Sequence, residues 1–286
     1  MTNILQHCDA QALLCAHKDS IDLCYIDPPF NVGIDFRYGK HVAYSDKWGG
    51  IDGFLSFLGP IIEAARNALV PSGLFWLHLD YRAIHEAKVL SDKIFGRTAF
   101  RGEIVWSPGN GARRKHGPSM THQTLLVYSR DPCPNATFVW NCNDSRLREQ
   151  FAATSLRMHF RSTDSSGRLY RDRSINGKTY RYYADEGRRL GSVWTDIPAM
   201  LANTPIRAEG TGYPNQKPEK LLERVISLSS IIGSIVCDPM CGSGTALLVA
   251  ARLGRSFIGG DSSQIAIDVT KKRLIGASIP FKLGET

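Results

Sequence analysis

The 286-residue sequence predicts an α/β fold with a mostly parallel sheet covered on both faces and interrupted by one insertion. Three observations predict it. Short, almost wholly apolar runs alternate with segments whose apolar residues recur at helical spacing. The run Ile21 to Ile26 breaks off at Asp27-Pro28-Pro29, as a buried parallel strand ends. From about 130 to 195 the alternation stops, and Arg, Ser, Thr, Asn and Gly dominate without a period.

In chain order, Ile21 to Ile26 is a strand, and Val32 to Gly50 reads as a loop. Phe54 to Leu69 places Leu55, Leu58, Ile61, Ile62, Ala65 and Leu69 on one helical face, and Pro71-Ser72-Gly73 stops it. Leu74 to Leu79 is an apolar strand, Tyr81 to Phe95 a helix, Ile104 to Trp106 the centre of a strand, and Thr124 to Tyr128 another strand. Past the insertion, Pro218 to Ile231 is helical, with Pro218 suited to a first-turn position. Ile235 to Asp238 and Ser256 to Asp261 are strands; Ala246 to Leu253 and Ile265 to Leu274 are helices.

Composition narrows the class. Apolar residues at 43% and charged residues at 22% are ordinary globular values and argue against disorder. No run of about 18 apolar residues is present, so no membrane span is expected. Met1 to Ala10 has neither the basic start nor the apolar stretch of a signal peptide. The seven cysteines form no C-x-x-C pair and the eight histidines no ligand spacing. Reduced, buried thiols, no metal and a cytoplasmic location are therefore expected.

The charge is uneven. Lys and Arg number 35 against 27 Asp and Glu, and residues 111–190 alone hold 15 basic against 7 acidic residues. The remainder of the chain is balanced. Nine aromatic residues lie between Tyr128 and Tyr183, including Trp140, Phe151, Phe160 and Tyr180. Confined cations interleaved with aromatics suit a polyanion with exposed bases; a solvated basic region with its own small core suits them equally.

Two loops carry chemistry. Asp238-Pro239-Met240-Cys241-Gly242-Ser243-Gly244-Thr245 lies between a strand and a helix. Its glycines allow a tight turn and close approach of a ligand to a helix N-terminus. Nineteen residues after Gly242, Asp261 ends the next strand, where a carboxylate can accept both hydroxyls of a ribose. The full G-x-G-x-x-G is absent, which favours S-adenosylmethionine over a dinucleotide. The second loop is Asp27-Pro28-Pro29-Phe30, a tetrapeptide expected by chance in on the order of one chain in a thousand. An Asp carboxylate beside a rigid Pro carbonyl can accept both hydrogens of an aromatic amine. Phe30 offers a stacking face worth about 1–3 kcal/mol to a base.

With these residues the chain resembles the DNA amino-methyltransferases of the permuted β class, in which D-P-P-F/Y precedes D-P-x-x-G-S-G. It is similar to the modification subunits of type III restriction systems and to orphan relatives. Asn67 to Asp80, Asp92 to Gly96, Glu103 to Trp106, Gly212 to Glu219 and Arg255 to Asp261 follow the family's order. Met240 stands where the family usually has an aromatic, Asn215 where it has Thr, and Phe30 where Tyr is more frequent.

The resemblance implies a Rossmann-like S-adenosylmethionine-dependent sheet. Residues 1–130 would form the catalytic part, 131–195 the target-recognition insert and 196–286 the cofactor-binding part. Asp27, Pro28, Pro29 and Phe30 would hold a flipped adenine for methylation at N6; Tyr44, Asp46 and Trp48 would lie in a mobile loop near it, unless Val32 to Gly50 is a simple surface loop. The cofactor would lie along Asp238, Met240, Cys241, Gly242, Ser243, Gly244 and Thr245, with Asp27 beside it. Gln216 and Lys217 would close over its carboxylate, Asp261 would take its ribose, and Asp9 would meet its adenine unless Asp9 only caps a helix. Arg113, Arg114 and Lys115 are expected at double-stranded DNA. The resemblance further implies a homodimer and admits a restriction partner.

Two alternatives stay open. One is the same reaction on cytosine N4, for which the family usually carries Ser in place of Asp27. The other is a DNA-recognition subunit of a restriction-modification complex. RNA methyltransferases normally place the Gly-rich loop first, and the order here disfavours them.

Overall fold

The computed structural model describes residues 3–109, 115–200 and 205–284. The chain forms two compact units, one made of Met1–Trp140 with Ser192–Thr286 and the other of Asn141–Gly191. The larger unit begins with β1 (Ile4–His7), α1 (Ala10–Ala16), β2 (Ile21–Ile26), the hairpin β3 (Asp35–Tyr38) and β4 (His41–Ser45), and α2 (Ile51–Ala68). It continues with β5 (Leu69–Leu79), α3 (Ile84–Phe95), β6 (Phe100–Trp106) and β7 (Gln123–Ser129). The smaller unit holds β8 (Arg148–Glu149), α4 (Ala153–His159), β9 (Ser162–Thr163), β10 (Leu169–Ile175), β11 (Lys178–Tyr183) and β12 (Arg188–Arg189). The larger unit resumes with β13 (Val193–Trp194), α5 (Glu219–Ser229), β14 (Ile235–Asp238), α6 (Thr245–Arg252), β15 (Ser256–Asp261), α7 (Gln264–Gly276) and β16 (Lys282–Leu283).

Nine strands form one sheet in the order β13-β6-β7-β5-β2-β14-β15-β1-β16. Only β7 runs antiparallel to its neighbours, β5 and β6. Successive strand residues face opposite sides, so a strand covered on both faces must be apolar throughout. Cys24, Ile26, Phe75 and Leu77 pack with Leu13 of α1, Leu58 and Ile62 of α2, and Ala87 of α3. The intervening Trp76 faces the other layer and donates from Nε1 to Ser229 Oγ of α5 at 2.9 Å. Each Leu, Ile or Phe so buried contributes about 1.5–3 kcal/mol. α5, α6 and α7 pack in series on one another, as do α1, α2 and α3.

Several expectations change. α2 ends at Ala68 and β5 starts at Leu69, so Pro71-Ser72-Gly73 lies inside the strand. The register against β2 shifts between Ile21 and Leu23, which accommodates the three residues as an irregularity. Pro218 occupies the N-cap of α5 rather than its first turn. Residues 35–45 form a hairpin instead of a loop, with Phe36 stacked on its cross-strand partner Tyr44 at 5.0 Å. All seven cysteines are free, but Cys15 and Cys133 are exposed and only Cys24, Cys237 and Cys241 are buried. Among the described residues no helix is long and apolar enough to cross a membrane.

The smaller unit, taken by itself, builds a core from arginines and aromatics. β9, β10 and β11 form a three-stranded antiparallel sheet. The Arg171 guanidinium lies 5.0 Å from the Phe160 ring and 5.5 Å from that of Phe151, and Arg181 lies 3.7 Å from Tyr170. Arg146, Arg168, Arg181 and Arg188 are paired with Asp144, Asp185, Asp172 and Glu149. Part of the interleaved composition is therefore internal structure. Arg157, Arg161, Arg173 and Lys178 remain exposed, and none takes part in an ion pair among the described residues.

Candidate active site

The neighbouring strands β5, β2, β14 and β15 bring four carboxylates to one edge: Asp80 and Asp27 just past their strands, Asp238 and Asp261 at the last strand residue. Ligands of open α/β sheets bind at this carboxyl edge. A cavity of about 600 Å³ lies there, walled by Asp9, Asp27, Asp46, Asp80, Asp238 and Asp261 against the cations Arg82 and Lys217. Such a wall favours a cationic ligand and opposes a pyrophosphate.

Asp27 meets Lys217, whose Nζ donates to Oδ2 at 2.5 Å across 190 residues of sequence. Its Oδ1 is buried and accepts no hydrogen bond. Burial pushes the Asp27 carboxyl above its ordinary value, and the Lys217 ammonium pulls it part of the way back. Beside it, His78 Nδ1 is hydrogen-bonded to the Tyr25 hydroxyl at 2.8 Å and lies 3.8 Å from Asp27 Oδ1. Burial first, and Lys217 second, hold His78 well below the usual imidazole range, so the ring is neutral. The Lys217 ammonium also sits 4.9 Å from the Phe30 ring, and Pro28 and Pro29 complete this part of the wall.

Lys217 thus serves as the counter-ion of Asp27, where the motif had implied a grip on a cofactor carboxylate. Gln216 lines the cavity, but its carboxamide ties down its own loop. Oε1 accepts from Thr211 N at 2.9 Å, and Nε2 donates to Glu209 O at 2.8 Å. Asn215 adopts φ +56 and donates from Nδ2 to the Tyr44 hydroxyl at 2.6 Å. That left-handed conformation tolerates Asn better than a β-branched Thr.

The glycine loop is tied to Asp261. Gly242 N donates to Oδ2 and Ser263 N to Oδ1, each at 2.9 Å. Burial pushes the Asp261 carboxyl up, and these two N–H groups oppose the shift. Asp238 is pushed well above the carboxylate range by burial. Met240, Cys241, Gly242, Ser243 and Thr245 line the cavity, and Met240 also packs on the hydrophobic core. Gly244 is not part of the wall. It caps α6 at φ +73, and a Cβ there would come 2.6 Å from Thr270 Cγ2, so close packing requires glycine there. Asp9 caps a helix, Oδ1 accepting from Gln11 N and Ala12 N at the start of α1, and the residue also lines the cavity.

Arg113 and Arg114 lie outside the described residues, and Lys115 is exposed. Sequence reasoning missed Tyr25, His78, Trp106, Gln123 and Tyr213 as parts of the site. The first four sit inside or at the ends of predicted strands, where an aromatic or a lone His reads as core.

A family model described as DNA methylase, covering N6 and N4 methyltransferases, matches residues 21–272. The chain is 29% identical over 283 residues to the Type II methyltransferase M2.DpnII of Streptococcus pneumoniae, covering 95% of this chain and 89% of that protein. It is 29% identical over 261 residues to the DNA adenine methyltransferase YhdJ of Escherichia coli K12, covering 91% and 78%. Among solved structures, the M1.HpyAVI–SAM complex superposes with a TM-score of 0.59 at 20% identity over 96% of this chain and 99% of that one. The cytosine-N4-specific PvuII DNA methyltransferase gives 0.62 at 18% identity, over 96% and 86%. With its sheet order, its carboxylate-walled cavity and a family match over most of its length, the chain belongs to the N6/N4 DNA methylase family.

Proposed function

We propose that this chain transfers a methyl group from S-adenosylmethionine to N6 of an adenine flipped out of double-stranded DNA. The observation that carries this reading is Asp27 Oδ1, a buried carboxylate oxygen with no partner, on a cavity wall beside the Phe30 ring. An unpaired buried acceptor of this kind is costly unless a ligand supplies the donor. An exocyclic amine supplies it.

The residues present fit the cofactor. Asp9, Asp238, Met240, Cys241, Gly242, Ser243, Thr245 and Asp261 would hold it, and the excess of aspartates suits its sulfonium and ammonium charges. When bound, S-adenosylmethionine supplies an electrophilic methyl group. The chain's own residues do the rest. Flipping the base costs a few kcal/mol, on the order given by lost pairing and stacking. Asp27 Oδ1 and the Pro28 carbonyl accept the amine hydrogens and so orient its lone pair. Phe30 stacks on the ring. As positive charge grows on the nitrogen, the fixed Asp27 carboxylate stabilises it where it appears. Burial, by raising the Asp27 pKa, also suits that carboxylate to receive the departing proton.

Adenine is favoured by Asp27 itself and by the one relative here named as an adenine methyltransferase, YhdJ. The reading includes a homodimer and target recognition by the insert, and leaves room for a restriction partner, all of which rest on the resemblance; the cytoplasmic location rests on the cysteine pattern. The test uses unmethylated bacterial genomic DNA, digested to nucleosides after reaction and weighed. N6-methyladenine is expected. N4-methylcytosine would move the acceptor, and an unmodified digest would overturn the proposal. Asp27→Ala should keep cofactor binding while transfer falls roughly 100- to 1,000-fold or more, the scale of one lost charge-stabilising contact.

A further inference from the structure

The backbone just beyond the Asp27-Pro28-Pro29 turn is bound to a single residue that follows the hairpin. The Asp46 carboxylate accepts from Phe30 N at 3.1 Å and Val32 N at 2.9 Å on Oδ2, and from Asn31 N at 2.9 Å on Oδ1. The Trp48 indole adds a fourth donor to Oδ1 at 2.7 Å. The Asp46 main chain extends the grip: Gly33 N donates to its carbonyl and its own N–H donates to Ile34 O, each at 2.9 Å. Five consecutive residues are thus tied to one.

This anchor is built for a loop. Asn31 at φ +59 and Gly33 at φ +84 turn successive N–H groups to one side, the concavity that backbone amides make for an anion. Asp46 is completely buried, and a carboxylate taken out of water is tolerated only when its lone pairs are filled. Four donors fill them. The clamp is anchored in turn, because the Trp48 ring stacks on Phe57 of α2 at 4.0 Å and 22°. A connected path therefore runs from the helical layer through Trp48 and Asp46 to the segment that carries Phe30.

Resting on the methyl-transfer reading, we infer that Asp46 is the positioning residue of the catalytic loop. Although it lies on the cavity wall, its carboxylate oxygens are taken up by protein donors, so it acts through the loop: it fixes the spacing between the Asp27 carboxylate and the Phe30 ring while a base enters. Asp46→Asn places amide hydrogens against N–H groups that now find an acceptor, and the loop relaxes.

The test has two arms. Hydrogen–deuterium exchange should speed up in Asp46→Asn on peptides covering residues 30–34 and stay unchanged on those covering 238–244. On unmethylated genomic DNA, kcat should fall about 100-fold, the scale of an ångström-level misplacement, with KM for DNA and cofactor affinity by calorimetry unchanged. A merely structural role would lower cofactor affinity together with the rate. Unchanged exchange at 30–34, or a wild-type kcat, overturns the inference. Should Asp46→Asn fail to fold, Trp48→Phe decides by the same two readouts, since it removes one donor and keeps the ring stack; wild-type exchange and kcat in that variant overturn the clamp. An inactive wild-type chain whose loop still loosens in the variant would count against the functional reading and leave the clamp standing.

Discussion

The loop after β2 and the loop after β14 leave adjacent strands, and each is tied through backbone N–H groups to an aspartate supplied from elsewhere in the chain. For the catalytic loop the aspartate is Asp46, fully buried, with four donors on its two oxygens. For the glycine loop it is Asp261, half-buried on the cavity wall, with two backbone donors. An ionised carboxylate offers about four acceptor sites. Asp46 is saturated, whereas Asp261 keeps sites for a ligand. On the proposed reading one device serves two ends: the loop that would grip the reacting base is finished by the protein, and the loop that would lie beside the cofactor is left for the cofactor to finish.

The sharpest way to break that contrast is Asp261→Ala. It should weaken S-adenosylmethionine binding roughly 10- to 100-fold, the worth of a charge-assisted hydrogen bond of about 1.5–3 kcal/mol. Unchanged affinity by calorimetry would put Asp261 with Asp46 as a purely structural anchor. Next comes Lys217→Met. In the proposed mechanism the reaction needs the Asp27 carboxylate; burial raises that group's pKa and Lys217 lowers it, so removing the ammonium raises it further. The acid limb of kcat/KM against pH should therefore move to higher pH; an unmoved limb would deny Lys217 its role as counter-ion. The smallest effect is expected for Gly242→Ala. At φ +51, with Tyr213 Cε1 only 3.2 Å from the added Cβ, the change should cost about 1–2 kcal/mol. That would lower Tm by a few degrees, measured by thermal denaturation. No loss of Tm would mean the glycine loop gives way more easily than its anchor implies.

Much of this was legible in the chain itself. Ile235 to Asp238 and Ser256 to Asp261 are strands residue for residue, because a strand buried on both faces leaves an uninterrupted apolar signature. The catalytic and glycine motifs were visible because their chemistry depends on contiguous residues. The hairpin was not, since Asp35-Phe36-Arg37-Tyr38 alternates over only four residues, His41-Val42-Ala43-Tyr44-Ser45 does not alternate, and the pair is stabilised by contacts such as Tyr44 with Asn215. Asp46 was noticed as a residue near the base, but its partners are main-chain N–H groups 14 to 16 residues away, which no side-chain pattern reports. The Lys217–Asp27 pair is hidden for the same reason on a longer scale, and Gly244 looked like a ligand contact because packing against Thr270 leaves no trace in a motif.

β1 runs between β15 and β16, and Lys282 N donates to Asn3 O while Gly284 N donates to Leu5 O. The first and last described strands are therefore seam-to-seam neighbours. Because the two run parallel, a crossover linker rather than a tight turn would be needed to splice them. With such a linker, and the polypeptide opened at a surface turn between the two motifs, the order in which the motifs are translated would be reversed while the strand order of the sheet stayed the same.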